Sequence, residues 1–428
     1  MKSYSRFSRS ENHVIVIGGG PAGMMAALAA REAGATVTLW ERNDNLGKKL
    51  SITGKGRCNI TNNAPTDELI KNLPGNGAFL YSAFSRFPAQ ATMDFFTELG
   101  VELKTERGRR VFPLSDSARQ VVDSLCSRLQ EANVNVLYRR RAARLLTEKD
   151  RIVGAEDTRG EKQSAAAVVL ATGGASYPAT GSSGDGYKLA SAAGHTIIDP
   201  RPALAPLETN ETWPGELTGL SLKNVRLSAF YSGKAVGREF GELLFTHFGL
   251  SGPIVLSLSR TITALPNGGA GTELALDIKP ALSMEQLDKR LLKEVEVGSR
   301  KHIINALAGL SPAALLPLLL RLADIPPDRY AHQLSRTERA RLPALLKALP
   351  LTVKSPRPLA EAIVTAGGIN VKEVDPKTMA SKKLHGLYFA GELLDVDGFT
   401  GGYNLQAAWA SGYIAGQSAA GKLGQMFL

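Results

Sequence analysis

Three glycines and one acidic residue near the start of the chain have the types and spacing needed to bind a dinucleotide. Gly18, Gly20 and Gly23 form a Gly-x-Gly-x-x-Gly pattern, and Glu41 follows about 20 residues later. We expect Gly18 to permit a tight turn, Gly20 to let the backbone approach a pyrophosphate, and Gly23 to let a helix pack closely on a sheet. The Glu41 carboxylate can accept hydrogen bonds from both ribose hydroxyls. It would repel a 2′-phosphate, which disfavours NADP at this site.

The elements that must position these residues are predicted by the same stretch of sequence. Residues 14–17 are all β-branched, an Ala-rich helix then runs to about Gly34, and residues 36–40 form a second apolar strand that ends at Glu41. The positive end of that helix would face the phosphates. Strand, glycine turn, helix and strand in register indicate a complete dinucleotide-binding unit.

Motifs farther along the chain indicate which dinucleotide is bound. They are NLGKK (45–49), ITGKGRCN (52–59), AVVLATGG (167–174), SYPATGSSGDGY (176–187), GELLFTHFGLSGP (241–253), VTAGGINVKEVDPKTM (364–379) and the segment 387–406. With the first unit they resemble the two-dinucleotide-binding-domain flavoproteins, and more narrowly the BaiN/YhiN-type family of FAD-dependent oxidoreductases, close to the succinate dehydrogenase and fumarate reductase flavoproteins. The resemblance runs nearly end to end and implies noncovalently bound FAD on a Rossmann-like α/β domain of the glutathione reductase and fumarate reductase type.

The resemblance also implies which residues contact FAD. In it, Gly401 and Gly402 open a small-residue helix that faces the flavin N1 and C2 carbonyl, Glu392 holds a ribityl hydroxyl, and Arg57 touches phosphate, ribityl or the flavin edge. The full predicted set is Gly18, Gly20, Pro21, Ala22, Gly23, Glu41, Arg42, Lys48, Lys49, Thr53, Gly54, Arg57, Cys58, Asn59, Ala171, Thr172, Gly173, Gly391, Glu392, Gly401, Gly402, Asn404 and Leu405.

The distribution of these motifs predicts two domains. Cofactor motifs lie in both the first and the last third of the chain, so we expect residues 1–198 and 355–428 to form the FAD-binding domain and residues 199–354 to be an inserted domain. Short strand-like segments at about 199–280 and 350–354 indicate a β-barrel, and residues 283–349 have a helical pattern. Residues 134–146 and 151–156 read as a β-meander in the first domain.

The composition is that of a soluble globular protein, with 428 residues, 43% hydrophobic and 21% charged. The first 13 residues are polar and basic, so we expect no secretory signal and a cytoplasmic location. The most apolar stretch, residues 303–323, contains Asn305, Pro312, Pro317 and Arg321, so packed helices explain it better than a membrane span. Two cysteines suit a reducing compartment, and the spacing of Cys, His and acidic residues predicts no metal site.

The net charge of +11 has two interpretations, a solvated basic face or attraction of an anionic partner. Basic clusters lie at residues 107–110 and 139–144, without the interleaved aromatics that a single-strand nucleic-acid platform requires. We therefore expect a small-molecule substrate and no nucleic-acid partner; the oligomeric state stays open.

Candidates for catalysis are few. His247, inside GELLFTHFGLSGP, is either a proton-transfer group or a buried structural imidazole, and Tyr177 is a second candidate for the substrate side. Cys58 lacks a partner cysteine five residues on, so a packed thiol is expected. Because a second Gly-x-Gly-x-x-Gly unit is absent from the sequence, NAD(P)H is an open candidate only as a transient electron donor.

These features predict an FAD-dependent oxidoreductase that moves a hydride between flavin N5 and a small organic molecule bound between the two domains. Two alternatives stay open. An RNA-modifying flavoprotein is favoured by the basic charge, and a non-catalytic flavin-binding redox sensor would share every cofactor motif.

Overall fold

The computed structural model of the chain describes residues 12–421. The polar residues 1–11, on which the expectation of no secretory signal mainly rests, lie outside the described residues. The chain divides into two compact units: the first ends at Arg201 and resumes at Ile363, and the second is Pro202–Ala362.

The first segment of the first unit contains eleven strands and six helices within the described residues. They are β1 (His13–Ile17), α1 (Pro21–Glu32), β2 (Thr36–Trp40), β3 (Thr61–Asn62), α2 (Thr66–Lys71), α3 (Tyr81–Arg86), α4 (Ala89–Glu98), β4 (Leu103–Glu106), β5 (Arg110–Pro113), α5 (Ala118–Glu131), β6 (Asn135–Leu137), β7 (Ala142–Glu148), β8 (Arg151–Asp157), β9 (Lys162–Ser164), β10 (Ala167–Leu170), α6 (Asp185–Ala192) and β11 (Ile197–Ala203), whose last residues enter the second unit.

The second unit and the return to the first complete the chain. The elements are β12 (Leu207–Thr209), β13 (Ser221–Tyr231), β14 (Lys234–Thr246), β15 (Gly249–Ser251), α7 (Pro253–Thr263), β16 (Glu273–Asp277), α8 (Met284–Val297), α9 (Ile303–Ala306), α10 (Leu316–Leu322), α11 (Arg336–Lys347), β17 (Leu349–Pro356), β18 (Val364–Ile369), β19 (Leu387–Phe389) and α12 (Tyr403–Ala419).

A five-stranded parallel sheet with the order β19-β10-β1-β2-β6 organises the first unit. Every residue of β1 and of β10 is buried, as expected for parallel strands that carry helices on both faces. The β-branched run at 14–17 therefore forms the predicted strand, and α1 follows it directly.

Helix α12 packs against α1 at very short range because two of its residues are glycines. A Cβ added to Gly412 would lie 2.3 Å from the Ala22 carbonyl oxygen, and one added to Gly416 would lie 2.2 Å from that of Ala26. The last helix is thus held directly on the first one.

The predicted β-meander is partly wrong. Residues 135–137 form β6, which pairs in parallel with β2 at the edge of the main sheet, and the meander consists of β7, β8 and β9. The sequence pattern merges these segments because no Gly, Pro, Asn or Asp separates them, and the break between them falls at the arginine run 139–141.

In the second unit a closed six-stranded barrel has the order β12-β15-β14-β13-β16-β17. Its interior is filled by apolar side chains such as Leu227, Phe245 and Val353, all fully buried. Helices α8 and α11 begin with capping boxes at Ser283 and Ser335, which fixes where the helical part starts. The predicted fold class, a Rossmann-like α/β domain with a β-barrel and helices, is confirmed.

Within residues 12–421, no helix is both long and apolar enough to cross a membrane. The same residues contain no group of three or more His, Cys, Asp or Glu side chains placed to hold a metal ion.

Candidate functional site

The glycines of the first turn are fixed by close contacts between backbone atoms. Gly18 has φ +110°, and a Cβ there would lie 2.5 Å from the Ala171 carbonyl oxygen. A Cβ on Gly23 would lie 1.8 Å from the Gly18 carbonyl oxygen. The chain itself therefore requires these two glycines, because a side chain would push the helix off the strand and the turn off β10.

Gly20 differs from its neighbours. Its backbone (φ −82°, ψ −175°) suits any residue, and a Cβ added there would meet no atom of the described chain within 4 Å. As the N-cap of α1 it offers no side-chain hydrogen bond, and Pro21 occupies the next position. The first turn of α1 thus presents backbone N–H groups and positive helix-dipole charge to open space.

Glu41 is buried, with 6% of its surface exposed, and the protein already binds both of its oxygens. Oε2 accepts from the Gly19 N–H at 2.7 Å, while Oε1 accepts from the Asn43 N–H at 2.7 Å and from Asn43 Nδ2 at 2.8 Å. A carboxylate oxygen can accept two hydrogen bonds, so Oε2 retains room for one ligand hydroxyl. We therefore expect Glu41 to accept a hydrogen bond from one ligand hydroxyl, at Oε2, and not from two.

A cavity of about 880 Å³, counting the space open to solvent, runs along the carboxyl edge of the parallel sheet. Open α/β sheets bind ligands at this edge. Thirteen predicted cofactor residues line it, namely Gly18, Gly20, Pro21, Ala22, Glu41, Arg42, Lys48, Lys49, Ala171, Thr172, Gly173, Gly391 and Glu392.

One end of the cavity carries a hydrogen-bonded ion pair. Lys49 Nζ lies 2.9 Å from Glu392 Oε2 and donates to Ser176 Oγ at 2.8 Å. Glu392 Oε1 accepts from the Thr365 N–H at 2.8 Å and from Ser176 Oγ at 3.1 Å. Each side chain of the ion pair is 21% exposed, so both charges remain within reach of a ligand.

The other end carries two arginines that share one carboxylate. Arg42 Nη1 lies 3.1 Å from Asp185 Oδ2, and Arg141 makes two hydrogen bonds to the same carboxylate, each 2.7 Å. Arg42 also donates to Ser183 Oγ at 2.5 Å. Partial burial opposes ionisation of Asp185, but the bonds from Arg141 and the charge of Arg42 hold its pKa below the ordinary value.

Five predicted residues after β2 do not contribute to the cavity as the described chain forms it, namely Thr53, Gly54, Arg57, Cys58 and Asn59. Arg57 instead pairs with Glu106 and Asp116 and lies 4.1 Å over the ring of Phe112. Its guanidinium is thus engaged by the protein, and its contact with phosphate, ribityl or flavin stays a prediction.

The Cys58 thiol is fully buried, as expected for a packed side chain. Burial raises its pKa to about 12, against a smaller opposite effect of a hydrogen bond with Thr53. A thiol that stays protonated at neutral pH is a poor nucleophile.

The glycine pair before α12 is tied to the polypeptide around it. Gly402 has φ +99°, and a Cβ there would lie 2.4 Å from the Thr61 carbonyl oxygen. The Asn404 side chain both accepts from the Gly398 N–H and donates to its carbonyl, at 2.8 Å each. Within residues 12–421, Gly401, Gly402, Asn404, Leu405 and Gly23 are not among the cavity-lining set.

The two catalytic candidates lie in different units. His247 is exposed in the turn between β14 and β15, with its ring 4.9 Å from that of Phe248. The interpretation of His247 as a buried structural imidazole is therefore wrong. Tyr177 is 37% exposed and has φ +50°, an uncommon backbone conformation for a residue with a side chain, directly after the buried Ser176.

Several cavity residues were not predicted, among them Asn43, Arg140, Arg141, Thr180 and Asp185. The sequence analysis places Arg140 and Arg141 in the basic cluster at 139–144 and not in the cofactor site. Their position directly after a parallel strand was the available signal, since loops at the carboxyl edge line such sites. The predicted meander, which includes β6, hides that signal.

Comparison with curated proteins finds two kinds of relative. The chain is 33% identical to the 3-dehydro-bile acid delta(4,6)-reductase of Clostridium scindens, over 96% of this chain and 99% of the relative. It is 32% identical to the ribosomal RNA dihydrouridine synthase of Escherichia coli, over 94% of this chain and 96% of the relative. The synthase of the same name from Haemophilus influenzae is 31% identical over 96% of this chain and 98% of the relative.

Solved structures with similar folds include two steroid dehydrogenases. The 3-ketosteroid delta1-dehydrogenase of Sterolibacterium denitrificans aligns with a TM-score of 0.53 and 15% identity, covering 96% of this chain and 100% of the other. The 3-ketosteroid-delta4-(5alpha)-dehydrogenase of Rhodococcus jostii aligns with a TM-score of 0.52 and 15% identity, covering 98% and 99%. At these identities the likeness establishes the fold.

A protein-family profile described as "HI0933-like protein Rossmann domain" matches residues 12–418, which is nearly the whole chain. Together with the full-length relatives, this match confirms the resemblance seen in the sequence motifs. The chain belongs to the HI0933-like Rossmann family, the BaiN/YhiN-type family of FAD-dependent oxidoreductases.

Proposed function

We propose that this protein binds FAD noncovalently in the cavity of the first unit and transfers a hydride between the flavin and a small organic molecule. The observation that carries the proposal is the cavity itself. It joins an uncapped helix N-terminus, a buried acid at the end of the second strand and a lysine–glutamate pair along one sheet edge.

The residues of the cavity fit a dinucleotide in three ways. A glycine at position 20 is not needed by the protein's own packing, so it keeps space free for a ligand. Thr172 lines the cavity, and its buried Oγ1 finds no hydrogen-bond partner within residues 12–421. Lys48 adds an exposed ammonium group. An open backbone cradle, an unpaired hydroxyl and a cation are what an elongated diphosphate ligand requires.

In this proposal each residue has a defined task. The N–H groups at the start of α1 and the Lys48 ammonium bind the pyrophosphate, and Glu41 Oε2 accepts from a ribose hydroxyl. Lys49 and Glu392, which form an ion pair with each other, bind the ribityl chain of FAD. Bound FAD would supply a two-electron carrier that accepts or donates a hydride at its N5.

We further propose that the substrate bears a carbon–carbon double bond conjugated with a carbonyl group. The names of the C. scindens and E. coli relatives both describe the gain of hydrogen by ring double bonds, on a bile acid and on uridine. A carbonyl in conjugation withdraws charge from such a bond and makes its far carbon a hydride acceptor. Tyr177 and His247 are the proposed proton-transfer candidates for the step that completes the reduction.

An RNA substrate is the second candidate, because two relatives are named for ribosomal RNA and the chain carries a net charge of +11. The basic clusters that suggested it are largely neutralised. Arg139, Arg140, Arg141 and Arg144 each pair with a carboxylate. Arg109 and Arg110 do the same. Paired cations release few counterions on RNA binding, so we favour the small molecule.

The test is anaerobic spectroscopy of the purified yellow protein. NADH and NADPH are tested first as proposed transient donors, and the reduced protein is then mixed with 4-en-3-one steroids, other enones, uridine and ribosomal RNA. Reoxidation by enones with a stoichiometric loss of the double bond supports the first candidate. Reoxidation only by ribosomal RNA, with dihydrouridine formed, selects the second. A colourless protein that takes up no FAD contradicts the proposal, and a reduced flavin that no acceptor reoxidises leaves a non-catalytic sensor.

A further inference from the structure

A loop lines the cavity at the end that carries the two arginines. Residues 178–185, called the strap here, follow β10 and line the cavity through Thr180, Gly181, Ser182 and Asp185. Residues 42–43 follow β2, and Arg141 follows β6. Two strands, β1 and β2, separate β10 from β6 in the sheet. Neighbouring strands are about 4.8 Å apart, so a contact from the strap to Arg141 must reach across the cavity.

Four polar contacts make that connection. Asn43 Nδ2 donates to the Thr180 carbonyl at 3.1 Å, and Arg42 donates to Ser183 Oγ at 2.5 Å. Arg42 pairs with Asp185 at 3.1 Å, and Arg141 binds the same carboxylate through two bonds of 2.7 Å. Asp185 therefore joins the strap to both loops on the opposite side.

We propose that Asp185 is a positioning residue that retains the cofactor by holding Arg42 and Arg141 across the mouth of the cavity. This inference rests on the proposed FAD function. FAD leaves only after the strap separates from the two arginines, so the ion pairs set the rate of release. The Asp185 side chain is 16% exposed and those of Arg42 and Arg141 are 32% and 47% exposed. Salt therefore reaches these pairs, and release should accelerate with ionic strength.

The test measures FAD release from the holoprotein, followed by flavin fluorescence with an excess of an FAD-binding apoenzyme as trap. Asp185→Asn keeps the size and removes the charge. The matched control is Glu156→Gln. Glu156 is 13% exposed and pairs with Arg144 at 2.7 Å, outside the cavity as the described residues form it. We expect Asp185→Asn to release FAD roughly 10-fold faster or more, since charge-assisted bonds are lost, and Glu156→Gln to stay within about twofold of wild type.

The salt dependence of FAD release distinguishes a specific role of the Asp185 ion pairs from a general loss of stability in the variant. The wild-type and Glu156→Gln release rates should rise between 0.05 and 0.5 M KCl, where the Debye length falls from roughly 13 Å to about 4 Å. The Asp185→Asn rate should rise distinctly less over the same range, because only the pyrophosphate contacts remain to be screened. Asp185→Glu should restore slow, salt-sensitive release. If Asp185→Asn does not fold, Arg141→Gln tests the same pair from the other side.

Two negative results have different meanings. Wild-type protein that binds no FAD overturns the proposed function together with this inference. Wild-type protein that holds FAD, with equal release rates in Asp185→Asn and Glu156→Gln, overturns the role of Asp185 alone.

Discussion

Replacing Gly20 with alanine separates what the cofactor requires from what the fold requires. The Gly20 backbone suits an L-residue, and an added methyl group would meet no atom of the described chain within 4 Å. Gly23, three residues later, is the matched control, because its added methyl group would lie 1.8 Å from the Gly18 carbonyl oxygen. The two substitutions are chemically identical and lie in one turn.

The expected effects differ in kind. For Gly20→Ala, reduced freedom of the unfolded chain offsets the poorer helix cap, so the free energy of unfolding of the FAD-free protein should change by less than about 1 kcal/mol. The methyl group then occupies space proposed for the pyrophosphate, and an overlap of about 1–3 kcal/mol raises the Kd for FAD by roughly 5- to 150-fold. Gly23→Ala should instead lower the FAD-free stability by about 3 kcal/mol or more, since backbone must move.

Urea unfolding of FAD-stripped protein and fluorescence titration with FAD measure the two quantities separately. If Gly20→Ala binds FAD as tightly as wild type, the cofactor does not approach this turn and the cradle is misassigned. If Gly20→Ala destabilises the FAD-free protein as much as Gly23→Ala does, Gly20 is required for folding, which would contradict the open space found beside it.

Three further expectations follow from buried and exposed titratable groups. Burial raises the pKa of Cys58 to about 12 in the folded protein, whereas an unfolded thiol ionises near 9.0. The protonated thiol therefore contributes fully to the free energy of unfolding below about pH 9, and this contribution is lost as the pH rises toward 12. Cys58→Ala should remove that slope in the pH dependence of unfolding, and thiol reagents should modify Cys126 before Cys58 in native protein. Although burial opposes ionisation of Glu373, hydrogen bonds from Lys383 and Thr196 lower its pKa to about 2. The ionised carboxylate therefore stabilises the folded protein above about pH 4.5, and this stabilisation is lost as the pH falls toward 2. Glu373→Gln should therefore flatten acid unfolding over that range, and an unchanged profile would refute the assignment. His247→Asn should shift the free energy of unfolding by less than about 0.5 kcal/mol, because the ring is exposed. With the true substrate, a rate loss of about 10²–10⁴-fold assigns proton transfer to His247, and an unchanged rate removes it from the mechanism.

Local patterns predicted the core of the site well. The β1–α1–β2 unit is visible because residues 14–17 are all β-branched, the helix is Ala-rich, and Gly23 is required by a contact with Gly18 only five residues away. The barrel strand β13 (Ser221–Tyr231) lies inside the segment at about 199–280 that is predicted to form a barrel, since its pattern also lies in one continuous segment.

Pairings between distant segments could not be predicted in the same way. The role of Glu392 at a ribityl hydroxyl stays a prediction, and the sequence does not indicate its donors in the structure, which are Lys49, Ser176 and Thr365. In the same way, the sequence does not indicate that Glu106 and Asp116 bind Arg57. Each partner lies tens to hundreds of residues away, and the residue types alone do not say which carboxylate an arginine will meet.

The packing of α12 on α1 has a consequence for how the protein is made. The second unit is one continuous segment and can complete its barrel once about residue 362 has been synthesised. The apolar surface of α1 near Ala22 and Ala26, in contrast, is covered only after Gly412 and Gly416 of α12 have been synthesised. At roughly 5–20 residues per second, about 400 residues of synthesis separate the two helices by some 20–80 s. We therefore expect loading of the cofactor to be the last event of biogenesis, and a chain that stalls in between to present an uncovered helix to chaperones and proteases.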